Sequence, residues 1–149
     1  MREGVPTMGT TSANSAATIL IVDDSYDDRY VLGWHLQAAG YNVLEADCGR
    51  EGIRLAKQLP DLILMDIALP DMDGTATIRT IKQDPELAGI PIIVLSGWDN
   101  ELVKRAAVKA GCSDYLLKPI QFELLLKLIA RRLNNHRSVE QSIGPPGPC

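Results

Sequence analysis

Short aliphatic runs alternate along this chain with longer stretches whose apolar residues recur at helical spacing. Ile19 to Val22, Leu62 to Met65, Ile92 to Leu95 and Tyr115 to Leu117 are runs of the first kind. They are too short for helices and show no polar alternation, so they read as strands buried on both faces of a parallel sheet. Asn42 to Ala46 is a weaker strand of the same series. Helices fill the gaps. The first is capped by Ser25, carries Asp27 and Asp28 in its first turn, and runs to about Ala39, with Gly40 as its C′ residue. The second covers Arg50 to Gln58 and stops before Pro60. The third runs from the turn Leu69-Pro70-Asp71-Met72-Asp73-Gly74 to about Lys82. The fourth spans about Asp99 to Ala110 and ends at Gly111, and the fifth about Gln121 to Leu133.

The helical stripes set the expected packing. Leu102, Val103, Ala106, Ala107 and Ala110 share one face of the fourth helix. Phe122, Leu125, Ile129 and Leu133 do so on the fifth, where Leu124 and Leu128 widen the stripe toward a partner as well as the core. Trp34 is read as core of the first helix. Five strands alternating with five helices predict an α/β domain with a five-stranded parallel sheet and helices on both faces. Right-handed crossovers leave few topologies, and the flavodoxin-like order 2-1-3-4-5 is expected. Residues 1–17 lack periodicity and read as a flexible leader, 18–133 as the domain, and 134–149 as a disordered Gly/Pro-rich tail.

The bulk numbers narrow the class. A chain of 149 residues suits one domain. A net charge of −4 argues against direct nucleic-acid binding. No apolar run approaches a membrane span, and residues 1–17 lack the basic and apolar regions of a secretory signal. Cys48, Cys112 and Cys149 share no metal-ligand spacing. Cys48 and Cys112 are read as buried free thiols of a cytoplasmic protein, and Cys149 as exposed in the tail.

The chemistry stands where the aliphatic runs stop. Asp23 and Asp24 follow the first run, Asp66 the third strand, Ser96 the fourth and Lys118 the fifth. Ligands of open α/β sheets bind outside the carboxyl ends of the strands. The expected order makes strands one and three neighbours, so these residues converge. Two carboxylates about 4 Å apart repel by roughly 4 kcal/mol at an effective dielectric near 20. Either one stays protonated or a cation sits among them. Mg²⁺ suits a few hard oxygens and keeps positions open for phosphate; Mn²⁺ is expected to substitute. A carboxylate, a divalent cation, a lysine and a hydroxyl fit phosphoryl transfer, with a carboxylate as nucleophile.

Five segments, Ile21-Val22-Asp23-Asp24-Ser25, Leu64-Met65-Asp66-Ile67, Leu69-Pro70-Asp71-Met72-Asp73-Gly74, Val94-Leu95-Ser96-Gly97 and Asp114-Tyr115-Leu116-Leu117-Lys118-Pro119, resemble in this order the receiver domain of two-component response regulators. The resemblance runs from about Thr18 to Leu133 and is nearest the stand-alone, chemotaxis-regulator-like type. It implies that Asp66 accepts a phosphoryl group from a phosphohistidine. It implies that Asp24 and Asp66 bind Mg²⁺ directly, Asp23 mainly through water, and Ala68 through its carbonyl. Ser96 would be the switch hydroxyl, Tyr115 the switch aromatic, and Lys118-Pro119 a cis bond. The expected partners are a sensor histidine kinase or phosphotransfer protein and a target protein docking over helix four, strand five and helix five. A phosphorylation-dependent homodimer is also allowed. The chain would be no enzyme beyond its own phosphorylation and dephosphorylation. Residues 134–149 are too few for an output domain, which fits a stand-alone receiver or a piece of a longer protein.

Three rivals share parts of this pattern. Asp71-Met72-Asp73-Gly74-Thr75 matches the DxDGT string of haloacid-dehalogenase-type Mg²⁺-dependent phosphatases, which would use Asp71 and Asp73. Those enzymes need the first acid directly after a strand, whereas Pro70 precedes Asp71 here. A flavodoxin-type electron carrier would want small polar residues after strand one to cradle a phosphate, where this chain has two aspartates. A receiver-like scaffold that signals without phosphorylation would not need the complete acid set.

Overall fold

A computed structural model describes residues 16–143. Five parallel strands, β1 (Thr18–Val22), β2 (Asn42–Ala46), β3 (Leu62–Asp66), β4 (Ile92–Ser96) and β5 (Asp114–Leu117), form one sheet in the order β2-β1-β3-β4-β5. The helices between and after them are α1 (Tyr26–Ala38), α2 (Gly49–Ala56), α3 (Gly74–Gln83), α4 (Glu101–Ala110) and α5 (Phe122–Ile143). This is the expected architecture.

Alternate residues of the central strands feed two cores. Leu20, Val22, Ile63, Met65, Ile92 and Val94 pack on one face with Leu55 of α2, Ile78 and Ile81 of α3, and Ala107 of α4. Ile19, Ile21, Leu62, Leu64, Ile93 and Leu95 pack on the other with Leu32 and Leu36 of α1 and Leu125, Ile129 and Leu133 of α5. Burial on both faces is why these strands have no polar alternation. Each large aliphatic side chain so buried contributes about 1.5–3 kcal/mol.

The register carries the site. Val22 pairs with Met65 and Asp66 with Leu95, so the three central strands end together. The Asp23 amide donates to the Ala46 carbonyl at 3.0 Å, which pins the residue after β1 to the end of β2. Ser25 caps α1 by accepting from the Asp28 amide at 3.1 Å, as its position predicts.

Several expectations need correction. The helix expected to stop at Leu133 continues to Ile143. No glycine or proline intervenes until Gly144-Pro145, so no breaker stops the helix at Leu133. The reading of 134–149 as a disordered tail therefore fails for 134–143, while residues 1–15 and 144–149, with Cys149, lie outside the described part. Trp34 is not core but 60% exposed. Leu32, Gly33 and Leu36 take the inner face of α1, and Trp34 falls opposite it. On α4 only Ala107 is buried, and Leu102 is 73% exposed. β5 is an edge strand and is half-buried rather than enclosed. The strand beneath α4 is thus the last of the sheet, with little apolar surface for a broad stripe to cover. Cys48 and Cys112 are free but only half-buried.

Candidate functional site

Three carboxylates meet at the carboxyl ends of β1 and β3. Asp23, Asp24 and Asp66 each offer an oxygen within 4.8 Å of the others. Asp23 is almost fully buried and Asp24 is exposed. The Asp23 side chain is held at both oxygens. Oδ1 accepts from the Ser25 amide at 2.9 Å and Oδ2 from Lys118 Nζ at 3.1 Å. Arg29 Nη1 donates to the Asp23 carbonyl at 2.8 Å. Asp66 Oδ1 accepts from the Ala68 amide at 3.1 Å, and its Oδ2 lies 3.6 Å from Lys118 Nζ.

Lys118 reaches the acids because β5 ends directly before it and its amide donates to the Ser96 carbonyl at 2.8 Å. The Lys118-Pro119 bond is cis, as expected. Its ammonium also pairs with Asp28 at 3.0 Å. Sequence reasoning took Asp28 only as a charge for the first turn of α1. The available signal was its place in the first turn of α1, which starts directly after Asp23 and Asp24.

Electrostatics follow from this crowding. Burial, with added repulsion from Asp23 and Asp24, pushes the Asp66 carboxyl up to about 6 despite the attraction of Lys118 and the Ala68 amide. Burial alone would depress Lys118. The Asp28 hydrogen bond, the Asp66 charge and the Asp23 contact outweigh it and raise the ammonium above its ordinary value.

The raised Asp66 value has a definite sign in stability. The fold holds this proton more tightly than the unfolded chain does. Its favourable contribution is complete below the unfolded value of 3.8 and is lost as pH rises through about 6. In EDTA, Asp66→Asn is therefore expected to match the parent near pH 4 and exceed it by about 1–3 kcal/mol at pH 7. Thermal unfolding against pH checks this, and the advantage should shrink with Mg²⁺. Equal stability at pH 7 would mean that the fold does not raise the Asp66 carboxyl.

Ser96, at the end of β4 beside β3, and Tyr115 of β5 share one partner. Ser96 is fully buried, and its Oγ accepts from the Trp98 amide at 3.0 Å. The Tyr115 hydroxyl donates to the Trp98 carbonyl at 2.8 Å. The peptide groups of Trp98 thus link the two side chains. The Trp98 indole is 56% exposed and lines one hollow with Ala68. Gly97 has open space around it.

Asp71 and Asp73 perform different work. Asp71 accepts from the Gly49 and Arg50 amides at 2.7 and 2.9 Å, which satisfies the first turn of α2 and holds the carboxyl below its ordinary value. Asp73 caps α3 by accepting from the Ala76 amide at 2.8 Å. A Cβ on Gly74 would strike the Asp66 carbonyl, so glycine is required where α3 crosses the end of β3. The DxDG string is explained by two helix caps and one close approach. The phosphatase reading of Asp71 and Asp73 is thereby set aside.

Comparison with known proteins agrees. Residues 19–130 match the sequence model of the response regulator receiver domain. The chain is 42% identical over 114 residues to Protein PilH of Pseudomonas aeruginosa, covering 76% of this chain and 94% of PilH. In some longer curated relatives the matched segment fills only 13% to 31% of the length. Among solved structures, a CheY-like response regulator receiver domain protein of Methanospirillum hungatei superposes with a TM-score of 0.79 at 29% identity, covering 83% of this chain and 98% of that one. The receiver domain of the sensor histidine kinase PA1611 of Pseudomonas aeruginosa, with a magnesium ion coordinated in its active-site cleft, superposes with a TM-score of 0.75 at 31% identity, covering 80% and 98%. With the family model spanning most of its length and a relative of nearly the same extent, this chain belongs to the response regulator receiver domain family, the phosphoryl-accepting modules of two-component signalling.

Proposed function

We propose that Asp66 is the phosphoacceptor and that Asp23, Asp24 and Asp66, with the Ala68 carbonyl, hold Mg²⁺ or Mn²⁺. The observation that carries this reading is the meeting of Asp66 with two further carboxylates and the Lys118 ammonium at the ends of β1, β3 and β5. The donor set fits the ion. Burial, with added repulsion from Asp23 and Asp24, raises Asp66 and favours a cation among these hard oxygens, and the exposed Asp24 leaves a side open for waters and phosphate. When bound, the ion would neutralise charge on the acids and on the transferring phosphoryl oxygens.

An Asp66 oxygen attacks the phosphorus of a phosphohistidine on a sensor kinase or phosphotransfer protein. The new P–O bond forms as the P–N bond breaks, and the imidazole nitrogen keeps the bonding pair. Lys118, 3.6 Å from Asp66 Oδ2, is placed to turn from Asp66 to the phosphoryl group. Asp23 and Asp28 keep the ammonium in the mouth.

Ser96 and Tyr115 carry the signal outward by population shift. Ser96 Oγ accepts from the Trp98 amide and keeps its own hydrogen to donate to a phosphoryl oxygen, so movement toward the phosphoryl group strains the bond to Trp98. That shifts Trp98, whose carbonyl in the next peptide unit holds Tyr115. The surface over α4, β5 and α5 then changes, and there a target protein or a second copy docks. Ser96→Ala should still take up a phosphoryl group but show little phosphorylation-dependent change in hydrogen exchange over α4–β5–α5. Exchange changes confined to α1 and α2 in the parent would contradict this route.

Lifetime depends on Ala68 and Trp98. A methyl group cannot orient an attacking water, and the indole can shield the phosphoryl group. Slow decay is expected, and Ala68→Asn with Trp98→Glu should speed it several-fold. Loss of phosphate after donor removal is the measurement, and unchanged decay in the double variant would refute the assignment. The function as a whole is tested by incubating the chain with an acyl phosphate. One phosphoryl group should be gained with Mg²⁺ and none in EDTA.

A further inference from the structure

Adjoining the phosphoacceptor site at Ala68 and Trp98, the cleft between α3 and α4 has two chemically different halves. The upper half, of about 440 Å³, is mostly apolar and lies under Trp98, Leu102, Val103 and Ala106. Leu102 is 73% and Trp98 56% exposed. The one carboxylate there, Asp73, accepts from the Ala76 amide that it caps. The lower half, of about 470 Å³, is lined by Arg79, Lys82, Lys109 and the small Ala106 and Ala110. Among the described residues no carboxylate lines that half, although the chain as a whole carries a net charge of −4. Arg79 and Lys109 are exposed, and among the described residues neither has an ion pair. Lys82 donates to the Ala88 and Ile90 carbonyls at 2.9 and 2.7 Å, which fixes its charge at the floor.

The halves form one track because Ala106 lines both. Leu102, Ala106 and Ala110 are spaced by one turn on α4, and Arg79, Lys82 and Gln83 share one side of α3. Leu102 and Lys109 are separated along the helix by about 10 Å, roughly two turns. An apolar end and a cationic end, joined by small residues, complement one kind of segment.

We infer that the α3–α4 cleft is a docking groove for an acidic amphipathic helix of another protein, seated by a bulky apolar residue against Leu102 and Trp98 and by carboxylates about two turns away against Arg79 and Lys109. Helix-in-groove recognition uses such spaced anchors. Charge complementarity selects a peptide over a nucleic acid, because the upper half offers a phosphate backbone nothing. The groove stands on the opposite side of α4 from Tyr115 and is complete without a phosphoryl group. A partner there shares α4 with the α4–β5–α5 surface but leaves β5 and α5 free.

The test uses the full chain, unphosphorylated and in EDTA, so that its outcome is independent of Asp66. The probe is a fluorescent helical peptide of about sixteen residues, with leucines on one turn and glutamates about two turns later. Saturable binding that weakens with salt is expected. Arg79→Glu with Lys109→Glu should weaken it by about tenfold or more, and Leu102→Ala should weaken it measurably. Leu124→Ala, on α5, should leave it unchanged. A peptide with lysines in place of the glutamates should not bind the parent but should bind the charge-reversed variant. Circular dichroism guards against misfolded variants. Equal binding by parent and charge-reversed chain, tighter binding of a single-stranded oligonucleotide, or self-association that depends on Arg79 and Lys109 would each overturn the proposal.

Discussion

Lys118→Met is expected to destabilise the chain by about 2–4 kcal/mol at pH 7 in EDTA. The ammonium lies 3.1 Å from Asp23, 3.0 Å from Asp28 and 3.6 Å from Asp66. Removing it strands the Asp23 carboxylate, whose side chain is only 3% exposed. Breaking a fully buried pair from one side costs about 3–5 kcal/mol. The lower figure applies here because the Lys118 side chain is 25% and that of Asp28 47% exposed, which admits solvent screening. The pH dependence separates this account from simple loss of packing. Lys118 has a raised value, so its own contribution is present throughout acid and neutral pH and fades only in strong alkali. Any change between pH 4 and pH 7 must come from the carboxylates. Without the lysine, Asp66 should hold its proton to still higher pH, and the variant should recover part of its deficit on acidification. Mg²⁺ should restore more. Urea unfolding at both pH values, with and without Mg²⁺, measures this. A deficit that ignores pH and Mg²⁺ would reduce Lys118 to a packing residue. The same variant should accept phosphoryl groups slowly, because no cation would take up the transferring charge.

What the sequence made legible follows from where the physics is local. Ile19 to Val22 and Leu62 to Met65 are apolar at every position because both sheet faces are covered, and that pattern survives in one dimension. The acids and the lysine stand at run ends, so the strand order alone brought Asp23, Asp24, Asp66, Ser96 and Lys118 to one mouth. The failures fall where a neighbour decides. Trp34 and Leu102 are large and apolar, but their exposure depends on which helix face meets the sheet and how far the sheet extends beneath it. The polarity of Asn134 to Gln141 shows that the core has ended, not that the helix has. Asp28 looks like any acid at a helix start until β5 delivers Lys118 beside it. Asp71 was ambiguous for a related reason: its partners are the Gly49 and Arg50 amides, distant in sequence and without side-chain signature. The link from Ser96 through Trp98 to Tyr115 runs through main-chain atoms and has no signature either.

The central claim is that Asp66 alone receives the phosphoryl group, and it carries the largest expected effect. Asp66 ends β3 with an oxygen near two other carboxylates and a lysine, whereas Asp71 and Asp73 spend their oxygens on helix amides. Asn at position 66 keeps the shape but lacks the nucleophilic carboxylate, so its uptake should fall to background. Asp71→Asn should cost some stability through the lost cap on α2 yet still be phosphorylated. The most direct measurement is peptide-resolved mass spectrometry of the chain after treatment with an acyl phosphate and Mg²⁺, with the acyl phosphate on the protein trapped by reduction. The account predicts one modified peptide, carrying the label on Asp66, and no label in Asp66→Asn or in EDTA. Label on Asp71 or Asp73, or undiminished label in Asp66→Asn, would contradict it.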